Sequence, residues 1–457
     1  MPLTRYQNPL DREVIEWIFQ AGIDAVDPQK LVKNAITRDL LGPNQPQGVV
    51  VLGAGKAGAK MARGLVEGLW GKVPCRGLVL VPSGMEGLFG NVEVRAVRPG
   101  ASNLPTQKAL EGTQSLLDLA RGVNPMEQVV VLLSGGASAL TPAPVFGITL
   151  EEKIQTTSLL ASAGASIQQL NGVRKHLSQF KGGGLLQEFC PAPPQFPLIA
   201  YILSDVVGDP VEVIGSGPTV ADSSTFAQCI SDCQSLGVWD QLPKAVQDYL
   251  GKGNFKNETL KQTPPWVNNQ ILGSNKIALE ACSQKARSLG FKTIQLGSGF
   301  EGDSLALARD HLEIIRSIRQ RSIEGNFKAG TRPICILSGG ETTMRLVTHP
   351  GPGGRNQAFA LELLLALGCE EVKRLCLLSA GTDGEDGPTT AAGGWVDAMA
   401  WQKLHDWVDR NPQKAEQLLA SQSNHQLLEY AGALFSPGPT GTNVMDVRLG
   451  VFLQESL

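Results

Sequence analysis

The sequence predicts an α/β protein of two domains. Three observations carry that expectation: short β-branched runs separated by helical stretches, glycine-rich turns at the ends of those runs, and a length of 457 residues. Single cores stop growing near ~250–300 residues, so a chain of this length divides. The runs at 48–52 (GVVVL), 77–81 (GLVLV), 129–133 (VVVLL), 198–203 (LIAYIL), 334–337 (ICIL) and 375–378 (LCLL) are continuously apolar. That is the pattern of strands covered on both faces in a parallel sheet. Right-handed crossovers then set the loops after successive strands along one edge, where ligands bind.

Before the first strand, Val14, Ile15, Ile18, Ile23, Val26, Leu31, Val32 and Ile36 recur at helical spacing, so the chain opens with helices. A polar stretch at 251–265 (GKGNFKNETLKQTPP) has the glycine, proline and charge content of an interdomain connection. It sets the expected domains at 1–260 and 261–457, with 319–332 as the other candidate join.

Composition narrows the function. Apolar residues make up 42% and charged residues 18%, an ordinary globular balance. Forty Lys and Arg against 43 Asp and Glu give a net charge of −3, with no basic surplus for a nucleic-acid backbone. The eight cysteines are dispersed without a CxxC pair, which reads as buried free thiols and not as a zinc site. The opening MPLTRYQNPLDREVIEWIFQ lacks the basic patch, apolar stretch and cleavage site of a signal peptide. No apolar run reaches the ~18 residues that cross a bilayer. A cytoplasmic protein is expected, monomer or homodimer, with no nucleic-acid or membrane partner.

The chemistry lies in the loops. At 53–58, GAGKAG follows a strand and precedes a helix, so Gly53 and Gly55 would let a phosphate approach backbone amides while Lys56 meets its charge. A dinucleotide site also needs an acidic residue at the end of the second strand, and Glu86 comes only well into that loop. A P-loop needs Ser or Thr after the lysine, and Ala57 stands there. At 134–140, SGGASAL offers Ser134, Gly135, Gly136 and Ser138 as a second nest of donors. The stretch 171–185 (NGVRKHLSQFKGGGL) groups Asn171, Arg174 and Lys181. On a continued helix Arg174 and Lys181, seven positions apart, would share a face.

Beyond the fourth of these strands, LSDVVGDPVEVIGSGPT (203–219) carries Asp205 and Asp209, oxygen donors suited to magnesium. In the second half, LSGGETTMRLV (337–347) repeats the strand-SGG design with Gly339, Gly340 and Glu341. GPGGRNQAFAL (351–361) presents Arg355 and Asn356 at a helix start, where a guanidinium fork matches phosphate or carboxylate oxygens. LSAGTDGEDGPT (378–389) adds Asp383 and Asp386 as further metal candidates, and PGPTGTNVMD (437–446) adds Thr440, Thr442 and Asn443. Such a collection of cations, carboxylates and hydroxyls on glycines reads as a phosphate site. It suggests phosphoryl transfer, where positioning and charge neutralisation do most of the catalysis.

At these residues the chain resembles the two-domain glycerate kinases whose carboxy-terminal half is the MOFRL domain. VLGAGKAG, LSGGASAL, NGVRKHLSQFKGG, LSDVVGDPVEVIGSGPT, LSGGETT, GPGGRNQ, SAGTDGEDGPT and TGTNVMD occur in the family's order. The resemblance implies a Rossmann-like layered α/β amino-terminal domain and a smaller α/β MOFRL domain, with the active site in the cleft between them. It also implies ATP- and Mg2+-dependent phosphorylation of D-glycerate to 2-phosphoglycerate, with Lys56 and Arg355 as the catalytic pair. The family's His-Pro-x-Pro-Asp stretch is replaced by SNLPT at 102–106, and a GEA segment by FEGDS at 300–304. Those departures keep two alternatives open: a kinase for another small hydroxy acid, or a nucleotide-binding protein without turnover. Reduction of hydroxypyruvate by NAD(P)H is the alternative from another enzyme class.

Overall fold

Strand β1 (Gly48–Ala54) is buried at every position, because its β-branched residues are covered on both faces. It pairs in parallel with β2 (Cys75–Pro82) on one side and β5 (Glu127–Leu133) on the other. The computed structural model describes residues 8–40, 45–100, 104–189, 195–253, 257–321 and 332–453. Ser102 and Asn103 of the SNLPT stretch, Cys190 and residues 322–331 of the second candidate join lie outside that description.

Contacts divide the chain into two units. The first comprises Pro28–Ser204 and Asp209–Leu272, the second Met1–Asp27, Asp205–Gly208 and Gly273–Leu457. A single crossing near 260 was expected; the chain changes unit near 27 and near 272, with a brief excursion at Asp205–Gly208. The reason lies in the opening helix Arg12–Ala25. Its buried face (Val14, Ile15, Ile18, Phe19) joins the core of the second unit. At Gly22 a Cβ would come within 2.5 Å of Cys282 Sγ and 3.2 Å of Ala278 O, so the bare backbone lets helix Asn275–Ser288 pack tightly.

In the first unit, β3 (Gly87–Phe89), β4 (Asn91–Arg98), β6 (Leu198–Leu203) and β7 (Val267–Gly273) complete a sheet of order β3-β4-β2-β1-β5-β6-β7. The neighbours from β4 to β6 are parallel, and β3 runs antiparallel to β4. Val51, Val79, Val130 and Leu132 form one face of the core, with Met61 and Leu65 of helix Gly58–Leu69 packed over them. After β1 the chain moves to β2, and after β5 to β6 on the opposite side. The β1 and β5 loops therefore flank a topological switch point, where open α/β sheets bind ligands.

The second unit holds β8 (Lys292–Asp303), β9 (Ile334–Thr343), β10 (Leu375–Gly381), β11 (Gly393–Val396), β12 (Leu434–Phe435) and β13 (Asp446–Phe452), ordered β12-β11-β10-β13-β9-β8. The parallel pattern expected of β9 and β10 does not extend here. Among the described residues only β8 with β9 pairs in parallel in this sheet, and β13 enters antiparallel between β9 and β10. A continuous apolar run reports coverage on both faces, not strand direction. Cys229, Cys233, Cys282, Cys335 and Cys376 are buried free thiols as expected, but Cys369 is exposed. Among the described residues no helix is long and apolar enough to cross a membrane.

Candidate active site

Strand β1 reaches helix Gly58–Leu69 through Gly55, Lys56 and Ala57. Gly55 takes φ +142°, and a Cβ there would lie 2.1 Å from Ser134 Oγ and 2.7 Å from Ser134 O. The loops after β1 and β5 interlock at this point. Lys56 N donates to Gly135 O at 2.9 Å, and Ala57 N donates to Ser134 Oγ at 3.1 Å. Gly55→Ala combines a clash with a disfavoured φ and is expected to cost about 2 kcal/mol, read as a lower urea midpoint.

Lys56 is exposed, and its stem passes Gly136: a Cβ built there would sit 3.5 Å from Lys56 Cγ. Gly53 does not belong to this loop surface. It lies within β1, paired with Val79 and Leu132, where a Cβ would meet Leu132 O at 2.9 Å. The bare backbone there permits close strand packing.

The second cluster gathers around Ser138. Arg174 Nη2 donates to Ser138 Oγ at 2.6 Å, and Arg174 Nη1 to Asn171 Oδ1 at 3.2 Å. Lys181 Nζ donates to Ser138 O at 2.6 Å and Thr141 O at 3.2 Å. Arg174 and Lys181 do converge, but not on one helix. Helix Ile167–His176 ends before Lys181, and a turn brings the ammonium back. Lys153, which sequence reasoning missed, donates to Leu177 O at 2.7 Å. With Arg174, Lys181, Ser138, Thr157 and Ser158 it lines a cavity of about 200 Å³. Burial pushes both lysines well below their ordinary range, and the neighbouring Arg174 adds to it.

Neighbouring ionisable groups are structural. Lys175 pairs with buried Asp222 at 3.1 Å, and His176 sits between Gly172 O and Glu258 Oε1. In the 203–219 loop, Gly215, Ser216 and Gly217 all take positive φ, and Ser216 Oγ meets Ser138 Oγ at 2.9 Å. A serine held at φ 64° is strain of the kind stored at functional sites. Asp205 and Asp209 are partly exposed on the same loop. Glu86 accepts from Gly84 N at 2.7 Å, folded back onto its own turn and not set to hold a ribose.

In the second unit, Gly339 and Gly340 are not a phosphate loop. Strand β9 runs through them to Thr343, pairing Gly339 with Val447 and Gly340 with Asp446. A Cβ at Gly339 would meet Asn275 Oδ1 at 1.9 Å. Arg355, first residue of helix Arg355–Ala366, is held in a fork: Nε to Asp446 Oδ2 at 2.7 Å and Nη2 to Asp446 Oδ1 at 3.0 Å. Its Nη1 donates to Glu341 Oε1 at 3.0 Å. Asn356 Nδ2 donates to Asp446 Oδ1 at 2.9 Å, and Ser379 Oγ donates to Asn356 Oδ1 at 2.7 Å.

Asp386 is raised to about 6 by burial and serves the same helix start. Its Oδ1 accepts from Asn356 N at 3.2 Å and its Oδ2 from Gln357 N at 2.9 Å. Those bonds satisfy orphan amides of the first turn, so Asp386 caps this helix start. Among the described residues no three His, Cys, Asp or Glu side chains gather to hold a metal ion. The four carboxylates Asp205, Asp209, Asp383 and Asp386 thus form no ready-made cage.

Beneath Arg355 lies Arg448, fully buried, with Nη2 3.1 Å from Thr342 Oγ1 and 3.6 Å from Asp446 Oδ2. His311 donates to or accepts from Ser338 Oγ at 2.7 Å, and burial, with the Arg448 charge behind it, lowers it from 6.5 to about 4. Because its folded value is depressed, the stability it contributes is present above about pH 6.5 and lost as pH falls toward 4. The gap in thermal midpoint between wild type and His311→Gln is therefore expected to shrink over that interval.

Comparison with known proteins now decides the family. Residues 14–251 match the family model described as a domain of unknown function (DUF4147), and residues 334–446 match the MOFRL family. A glycerate kinase of Homo sapiens is 34% identical, aligned over 94% of this chain and 91% of its own length. A glycerate 2-kinase of Pyrococcus horikoshii is 33% identical over 96% of this chain and 97% of its own. The chain belongs to the glycerate kinase family. It is a phosphotransferase with an alcohol group as acceptor. A crystal structure of a glycerate kinase from Thermotoga maritima superposes with a TM-score of 0.83 at 31% identity, covering 96% of this glycerate kinase family member and 99% of that chain.

Proposed function

We propose that this glycerate kinase family member transfers the γ-phosphoryl group of ATP, bound as its magnesium complex, to the 2-hydroxyl of D-glycerate. A bond forms between the hydroxyl oxygen and the γ-phosphorus, the bond to the ADP oxygen breaks, and the hydroxyl proton is released. The observation that carries the reading is Lys56, an exposed ammonium with no carboxylate partner among the described residues, beside interlocked glycine loops at a topological switch point. The names of the related proteins, glycerate kinase and glycerate 2-kinase, support D-glycerate as acceptor and the 2-hydroxyl as the position of transfer.

In this reading the chain's own residues orient and neutralise. Lys56 meets the transferring phosphoryl group, and Ser134, Gly135 and Gly136 shape the loop that receives it. Arg174 supplies positive charge, and Lys181 and Lys153 supply N–H donors, for anionic oxygens around the Ser138 cavity. Arg355 likewise offers donors to anionic oxygens: its Nη1 and Nη2 each carry a second hydrogen beyond those given to Glu341 and Asp446. The Asp446 fork fixes the plane in which those hydrogens point. Asp205 and Asp209, on the loop after β6, would offer oxygen donors to the cation that accompanies the nucleotide.

Incubation with ATP, Mg2+ and D-glycerate should release ADP and give a 2-phosphoglycerate signal by phosphorus NMR. A 3-phosphoglycerate signal would correct the position of transfer. Absence of ADP with D-glycerate and with a panel of small hydroxy acids would remove the kinase reading.

A further inference from the structure

Arg98 ends β4 at the same edge of the first unit's sheet as the Lys56 loop. It is only 2% exposed, and its Nε and Nη2 have no hydrogen-bond partner among the described residues. Nη1 reaches only Pro99 O, at a long 3.4 Å. Burial lowers its pKa, and among the described residues no carboxylate forms an ion pair with it. Buried guanidinium groups are ordinarily paired, since a charge removed from water without a partner is strongly unfavourable. Arg98 also has a direction. A Cβ built on Gly136 would lie 3.5 Å from Arg98 Nη2 and 3.5 Å from Lys56 Cγ, so the two cationic side chains flank one glycine of the SGG loop.

Among the described residues, the other guanidinium groups with a buried unpartnered nitrogen, Arg12 and Arg448, each have a carboxylate nearby, Asp397 and Asp446, and an aromatic face, Trp395 and Phe359. Arg98 has neither. We infer that Arg98 is a substrate-contacting cation: it grips an oxyanion of the reacting ligands, phosphoryl or carboxylate, together with Lys56 over Gly136. The inference rests on the kinase reading only for the identity of that anion. Bidentate capture of two oxygens is what a guanidinium fork supplies and an ammonium does not. Gly136 is bare at that place for the same reason, since a side chain there would stand between the two cations.

The test uses the full chain with Arg98→Met and Arg98→Lys. In Arg98→Met, kcat/KM is expected to fall about 100-fold, the scale for loss of one oriented donor. The thermal midpoint should be equal to or above that of wild type, because an uncompensated buried charge has been removed. Arg98→Lys restores charge without the fork and should recover only part of the loss. If the anion is the acceptor carboxylate, the loss falls on the KM for D-glycerate; if it is the phosphoryl group, on kcat and on the Kd for MgATP. Either pattern supports the inference. Wild-type kcat, both KM values and Kd in Arg98→Met would overturn it, as would a lowered midpoint with unchanged kinetics, the mark of a structural residue. Should wild type phosphorylate no hydroxy acid, the kinase reading fails separately. Calorimetric titration with pyrophosphate then decides: binding to wild type that is lost in Arg98→Met supports an anion site, and equal binding or no binding in both overturns it.

Discussion

Lys56→Ala is expected to lower turnover at saturating ATP and D-glycerate by at least about 100-fold, the scale for one oriented donor at a developing charge, while the thermal midpoint stays within a few degrees of wild type. Both halves follow from the same geometry. The loop is held by backbone groups: Gly55 N donates to Leu80 O, Lys56 N to Gly135 O and Ala57 N to Ser134 Oγ. None of these needs the lysine side chain. Its ammonium is exposed, outside the core, and free of any carboxylate partner among the described residues. Truncation should therefore leave the fold intact and remove charge from the reaction alone. Steady-state kinetics beside a thermal melt check the split. Wild-type turnover in this variant would move the transferring group away from the β1 loop.

Asp446→Ala is expected to be the most damaging single change to the fold, about 3–5 kcal/mol, the cost of removing one partner of a buried ion pair. Asp446 is 0% exposed and receives Nε and Nη2 of Arg355 and Nδ2 of Asn356, with Arg448 at 3.6 Å. Its loss leaves the buried Arg448 without its nearby counter-charge and frees Arg355 from its fixed plane. A lowered urea midpoint with unchanged slope is the expected readout. Arg355→Ala strands the carboxylate in the opposite sense, so it should lose both activity and stability, unlike Lys56→Ala. Full stability in Asp446→Ala would show that this network carries little of the second unit's fold.

Much of the first unit was legible in the linear sequence. The runs at 48–52 and 129–133 are adjacent parallel strands, and the glycine loops after them meet, because β-branched continuity and glycine placement are local properties. The placement of Lys56, Gly55, Ser134 and Gly136 in the loops after β1 and β5 was readable for the same reason. Asp446, Arg448, Arg98 and Lys153 were not. Strand β13 opens DVRLGVF and is buried throughout, so two charged residues that look solvated in sequence lie in the core. Gly53, Gly339 and Gly340 looked like phosphate-loop glycines, yet they stand within strands whose neighbours leave no room for a side chain.

Local sequence determined the α/β alternation, the places where strands end in glycine-rich turns, and the family. Tertiary structure alone decided the antiparallel insertion of β13 between β9 and β10 and the assignment of the opening helix to the second unit. It also decided which charges are sealed from water. The physical reason is that conformational preference is carried by a few consecutive residues, whereas burial and ion pairing depend on partners such as Arg355 and Asp446, 91 positions apart, whose nearness no local pattern encodes.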